Sequence, residues 1–97
     1  MAKTGTFKKQ NDGRYTGTIN TLTIRATVEL VPTERQDGNG PDFRAWAKGA
    51  EIGAAWMQES KAGNLYLSVK LDDPSLPPAI FCRLIKIDDA YQLLWSR

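Results

Sequence analysis

The stretch WMQESKAGNLYLSVKL, Trp56 to Leu71, decides how the chain is read, because two runs of strand-forming residues flank the KAG at Lys61 to Gly63. The turn sets the register, and a slip of one residue would send every side chain to the opposite face. A two-residue type I′ loop at Ala62 and Gly63 would force positive φ on a residue with a Cβ, at a cost of about 1 kcal/mol or more. A type I turn over Ser60 to Gly63 avoids this, with serine in the first position and Gly63 as the left-handed bulge residue. That turn places Ser60 opposite Asn64, Gln58 opposite Tyr66, Trp56 opposite Ser68, Ala54 opposite Lys70, Met57 opposite Leu67 and Ala55 opposite Val69. One face of the hairpin is then apolar, with Leu65, Leu67, Val69 and Leu71 pointing inward together. The other carries Trp56, Tyr66 and Lys70, close enough for large side chains to meet.

Outward from this hairpin the dominant period is two. Punctuation falls at short intervals: NDG at Asn11 to Gly13, KGA at Lys48 to Ala50, DDP at Asp72 to Pro74 and DDA at Asp88 to Ala90. Leu22, Ile24, Ala26, Val28 and Leu30 alternate with polar residues, as on a half-buried strand. Ile19 lies out of that phase, and a bend or bulge near Asn20 and Thr21 would reconcile the two segments. Phe43 to Ala47, Ile52 to Gln58, Leu65 to Leu71, Ile80 to Ile87 and Tyr91 to Trp95 read as further strands, rich in aromatic or β-branched residues. The alanines of GAEIGAAWMQES would suit a short helix, but Gly53 and the flanking turns oppose it. TERQDGNGPD, residues 33–42, is polar and too long for a tight turn, so it reads as a mobile loop.

The expected architecture is one all-β domain over residues 1–97, a small antiparallel twisted sheet or partly closed barrel of OB-like or SH3-like form. Ninety-seven residues allow one core, hiding about 60 to 70 per cent of the unfolded surface. An apolar fraction of 41% and a charged fraction of 25% are ordinary globular usage. The net charge of +2 is far from polycationic, so phosphate binding can only be modest. Cys82 is the sole cysteine, which excludes an intramolecular disulfide and suits a small buried hydrophobe. No window approaches the roughly 20 apolar residues of a membrane span. A cytoplasmic protein with no membrane partner is the expectation.

Catalytic constellations are missing from the sequence. There is no histidine, the commonest general base and metal ligand near neutral pH. Asp72 with Asp73 and Asp88 with Asp89 are adjacent pairs suited to turns and solvated corners. GNGPD lacks the following helix and lysine of a phosphate-cradling loop. No catalytic residue, metal site or small-molecule cofactor is expected.

GTFKK at Gly5 to Lys9, PDFRAWA, EIGAAW, SKAGNLYLSVKLDDPSLPPAIFCRL and the terminal LLWSR together resemble a bacterial family of small proteins, domain of unknown function 736. The resemblance spans nearly the whole chain, and the run from Ser60 to Ile80 is its most specific part. It implies a small proteobacterial protein, often carried on plasmids and integrated mobile elements, with no assigned activity. Members often carry lysines just after the tryptophan, where this chain has Met57 and Gln58.

Non-catalytic binding is therefore the function read from the sequence. The leading expectation is sequence-tolerant contact with single-stranded DNA or RNA through Trp56, Tyr66, Lys61, Lys70 and Arg83, since aromatic faces stack bases while cations meet phosphates. The alternative is a protein-protein interaction module or a homodimeric accessory protein of a mobile element, using the same aromatic face or a strand edge. Should another sheet or the long loop cover that face, Trp56 is core instead.

Overall fold

A computed structural model describes residues 2–22, 24–33, 40–73, 79–88 and 90–95. These form the strands β1 (Ala2–Lys9), β2 (Tyr15–Asn20), β3 (Arg25–Pro32), β4 (Phe43–Ala47), β5 (Ala50–Glu59), β6 (Leu65–Leu71), β7 (Ile80–Ile87) and β8 (Ala90–Trp95). Each pairs antiparallel with its neighbours in sequence, and β1 returns to pair with β8 through Gly5↔Leu93 and Phe7↔Tyr91. The all-β, antiparallel expectation holds, and closure is complete. A closed barrel removes the long free edges that an open sheet would expose.

Turn chemistry explains why the strands begin and end where they do. At the β5–β6 turn, Ser60 N–H donates to Asn64 O (2.8 Å), Gly63 N–H donates to Ser60 O (2.9 Å), and Gly63 has φ 86. The register follows as the turn predicts, from Glu59↔Leu65 through Trp56↔Ser68 to Gly53↔Leu71. The β1–β2 turn repeats this design: Gln10 N–H donates to Arg14 O (2.6 Å), and Gly13 takes φ 92. Lys48 (φ 53) and Gly49 (φ 80) make a two-residue loop between the paired Ala47 and Ala50, which is the type I′ geometry.

The segment around residue 20 corrects the sequence reading. There is no bend in one long strand. Asn20 ends β2 and Arg25 begins β3, and Leu22 stands fully exposed at the tip between them. Thr21 makes the turn without glycine: its N–H donates to Ile24 O (2.7 Å), and its Oγ1 accepts Ile24 N–H (3.0 Å). A threonine hydroxyl here replaces the usual turn residues. Ile19 then faces inward from β2 opposite Ala26 of β3, so both phases were real and belonged to different strands. The expected mobile loop at 33–42 falls largely on residues 34–39, outside the described residues. Its ends are held, with Thr33 N–H donating to Asp42 O (3.0 Å) and Asp42 Oδ2 accepting Met57 N–H (2.7 Å).

Inward side chains from all eight strands fill the barrel, among them Phe7, Ile19, Leu30, Ala55, Leu67, Leu84 and Leu93. Val69, Leu71 and Cys82 are buried as expected, but Leu65 is 65% exposed and is corrected from core to rim. It has the inward parity of Leu67 but lies past the end of the packed interior, since alternation reports a face and not a depth. Tyr15 stacks edge-on against Phe43 (5.4 Å) and Tyr91 (5.0 Å), closing the end of the barrel where β2, β4 and β8 begin. Burial and the neighbouring Tyr91 raise the Tyr15 phenol above its ordinary pKa. Among the described residues no helix is long and apolar enough to cross a membrane.

Candidate binding face on strands β5 to β7

Because the interior takes alternate residues of each strand, the residues between them make an outer surface whose order is set by register. Across β5, β6 and β7 the outer rows read Gln58, Tyr66; Trp56, Ser68, Arg83; and Ala54, Lys70, Phe81. Tyr66, Lys70 and Arg83 thus share one face with Trp56. The Arg83 guanidinium lies 5.1 Å from the centre of the Tyr66 ring, and the Lys70 ammonium 6.0 Å from that of Phe81. Each such contact is worth about 0.5 to 1 kcal/mol where solvent reaches it. That holds the cations beside the aromatic planes without consuming their charge.

Trp56 takes the outward position and is half-buried, outside the core cluster. Beside it Lys70, Arg44, Glu51, Gly53 and Asp72 line a shallow open depression of about 300 Å³. Arg44 spends its charge on Glu51, at 3.0 Å. Gly53 is required for the strands to approach: a Cβ there would strike the Lys70 carbonyl oxygen. Lys61 is exposed in the β5–β6 turn, beyond the last outer row, so the fold places it at the edge of the face rather than within it.

Phe81 is the residue that sequence reasoning missed. At 62% exposure it is one of the largest apolar groups shown to solvent. Within IFCRLIKI it reads as core, and only the pairing Val69↔Cys82 fixes the parity that turns it out. Trp46, on β4, is a second exposed aromatic at 39%, outside the predicted set. Met57 also acquires a meaning: it is 41% exposed at the barrel rim, so a lysine at that position would reach water instead of the core.

The thiol of Cys82 is buried, and burial pushes its pKa up to about 11, which leaves it protonated and unreactive near neutral pH. Among the described residues no group of three or more His, Cys, Asp and Glu side chains comes together.

A family model described as "Protein of unknown function (DUF736)" matches residues 3–97, which include every strand but the first residue of β1. The chain belongs to the DUF736 family. No curated protein and no solved structure matches it. For this DUF736 chain, then, the chemistry of the face is the ground on which function is argued.

Proposed function

We propose that the protein is a non-catalytic binding protein whose β5–β7 face takes single-stranded nucleic acid with little regard to sequence. The observation that supports this reading is the alternation of aromatic planes with cations on one exposed surface: Trp56, Tyr66 with Arg83, and Phe81 with Lys70. Bases stack on such planes whatever their identity, and the cations meet the phosphates between them. Lys61 at the turn would extend the phosphate track beyond Tyr66. A bacterial setting belongs to the same proposal on the strength of the family resemblance, and a cytoplasmic one on the lone cysteine and the lack of a long apolar run in the sequence. An accessory role on a mobile element belongs with the alternative, protein contact or self-association.

The test is fluorescence anisotropy with labelled single-stranded DNA and RNA at two salt concentrations. Affinity should be micromolar or weaker, because a net charge of +2 allows few phosphates to be neutralised, and it should fall with added salt in proportion to those few contacts. Trp56→Ala should weaken binding by about 1 to 3 kcal/mol without loss of strand signal. Lys61→Ala, Lys70→Ala and Arg83→Ala should each flatten the salt dependence. No anisotropy change at low salt would dismiss the reading. The exposed Phe81 and the 39%-exposed Ile87 favour a second one, contact with a protein or with another copy. Sedimentation velocity of the parent and Phe81→Ser separates the two.

A further inference from the structure

β4 covers only half of β3. The ladder between them runs from Pro32↔Phe43 to Glu29↔Trp46 and stops, because the chain turns back at Lys48 and Gly49, both at positive φ. On its other side β3 stays paired with β2 down to Asn20↔Arg25. Successive residues of an antiparallel strand direct their N–H and C=O alternately to the two flanking strands. Two bonds fix the phase. Ile24 O accepts Thr21 N–H (2.7 Å), so even-numbered residues of β3 turn towards β2, and Thr33 N–H donates to Asp42 O (3.0 Å), so odd-numbered ones turn towards β4. Arg25 and Thr27 therefore each aim an N–H and a C=O at a gap that no strand fills among the described residues.

The gap opens into a groove of about 700 Å³ lined by Thr18, Arg25, Thr27, Trp46 and Lys48, on β2, β3, β4 and the β4–β5 turn. The Trp46 indole stands beside it, 39% exposed. Glu29, also at the groove, shares Arg14 (3.2 Å) with Asp12 (2.7 Å), and the two cations Arg25 and Lys48 outnumber this one carboxylate in the lining, which makes the groove positive.

We propose that this slot binds an extended, acidic peptide segment of a partner protein, which adds to Arg25–Thr27 as a short strand. Donors and acceptors repeating every second residue, about 6.8 Å apart, select a β-strand over a helix or a nucleic acid backbone. The indole offers a platform to one alternate side chain, and the two cations select carboxylates on the peptide. The site lies on β3 and β4, apart from the β5–β7 face, and does not depend on what that face binds.

The experiment is an NMR titration of the ¹⁵N-labelled protein with a blocked pentapeptide alternating valine and glutamate. Saturable shifts should gather at Arg25, Thr27, Lys48 and the Trp46 indole, with slowed amide exchange at Thr27. Methylating the peptide nitrogens that would face β3 should weaken binding about tenfold, as loss of two backbone hydrogen bonds implies. Thr27→Pro deletes, with the threonine side chain, the one N–H that Thr27 turns to the unpaired side, where proline is tolerated, and should weaken it comparably while β1 and β2 amides stay in place. If that variant unfolds, the methylated peptide on the parent protein decides. Four results overturn the proposal: no saturable shift, equal binding of the methylated peptide, shifts centred on Trp56 and Tyr66, or stronger perturbation of the slot by oligothymidine. Broadening of Arg25 and Thr27 with protein concentration alone would assign the edge to a second copy of this chain and equally overturn it.

Discussion

Gly17→Ala is the sharpest test of how closely β1 and β2 interlock inside the barrel. Gly17 sits on β2 opposite Phe7 of β1, both facing the interior, and the Phe7 ring lies over the space a side chain would occupy. A Cβ at residue 17 would fall 2.5 Å from Phe7 Cγ and 2.7 Å from Phe7 Cα, and closer still to the Thr6 carbonyl oxygen. Two of those atoms are backbone, and the ring belongs to a side chain only 1% exposed, so neither can step aside cheaply. The cost is that of forcing an extra methyl into a filled core, about 1 to 3 kcal/mol. For a domain of this size the melting temperature should drop by about 4 to 20 °C. Urea unfolding followed by circular dichroism reads the loss directly. Gly49→Ala is the control, because a Cβ at residue 49 meets nothing within 4 Å and costs only the strain of φ +80. In a double-mutant cycle, Phe7→Leu should recover part of the loss, with a coupling of about 0.5 to 3 kcal/mol. A Gly17→Ala protein within about 0.5 kcal/mol of the parent, the ordinary range of surface changes, would refute the interlock.

Leu67→Ala should destabilise by about 2 to 5 kcal/mol, whereas Leu65→Ala, two residues away at the rim, should stay within about 0.5 kcal/mol; chemical denaturation of the pair checks the depth assigned to each. Gly63→Ala meets no atom closer than Glu59 Oε1 at 3.8 Å, so its loss should be the dihedral cost alone, about 1 kcal/mol. Above pH 9 the unfolded chain ionises its thiol while native Cys82, with a pKa of about 11, keeps its proton. Stability from this group is therefore complete below about pH 9 and declines towards pH 11, by at most about 1.4 kcal/mol per pH unit. Unfolding curves of the parent and Cys82→Val across that range should diverge accordingly, and native Cys82 should resist thiol reagents at pH 8.

The turn and register of the hairpin from Trp56 to Leu71 were legible because their information is local. One serine and one glycine at the right spacing fixed the turn, and the turn fixed a register that the pairs Trp56↔Ser68 and Ala54↔Lys70 reproduce. Thr21 to Ile24 was not legible, since a threonine hydroxyl closing a turn leaves no glycine or asparagine to mark it. Arg83 could be named as a basic residue near the aromatic pair. Its seat over Tyr66 depends on the β6–β7 register, which a connection through residues outside the described set joins and no short turn dictates.

By itself, the sequence determined the all-β class, the positions of most strands and the outward face of β5 and β6. Each follows from a two-residue period and from turn residues with fixed backbone preferences, which act over a few covalent bonds. Only the tertiary structure decided that β1 meets β8, that Leu65 lies at the rim while Leu67 is sealed, that Phe81 turns outward, and that β4 leaves Arg25 and Thr27 uncovered. Those outcomes depend on how far each strand extends past its neighbour and how closely backbones approach at Gly17 and Gly53. Stagger and approach are properties of the closed ring as a whole, set when all eight strands share one interior, and no single segment encodes them.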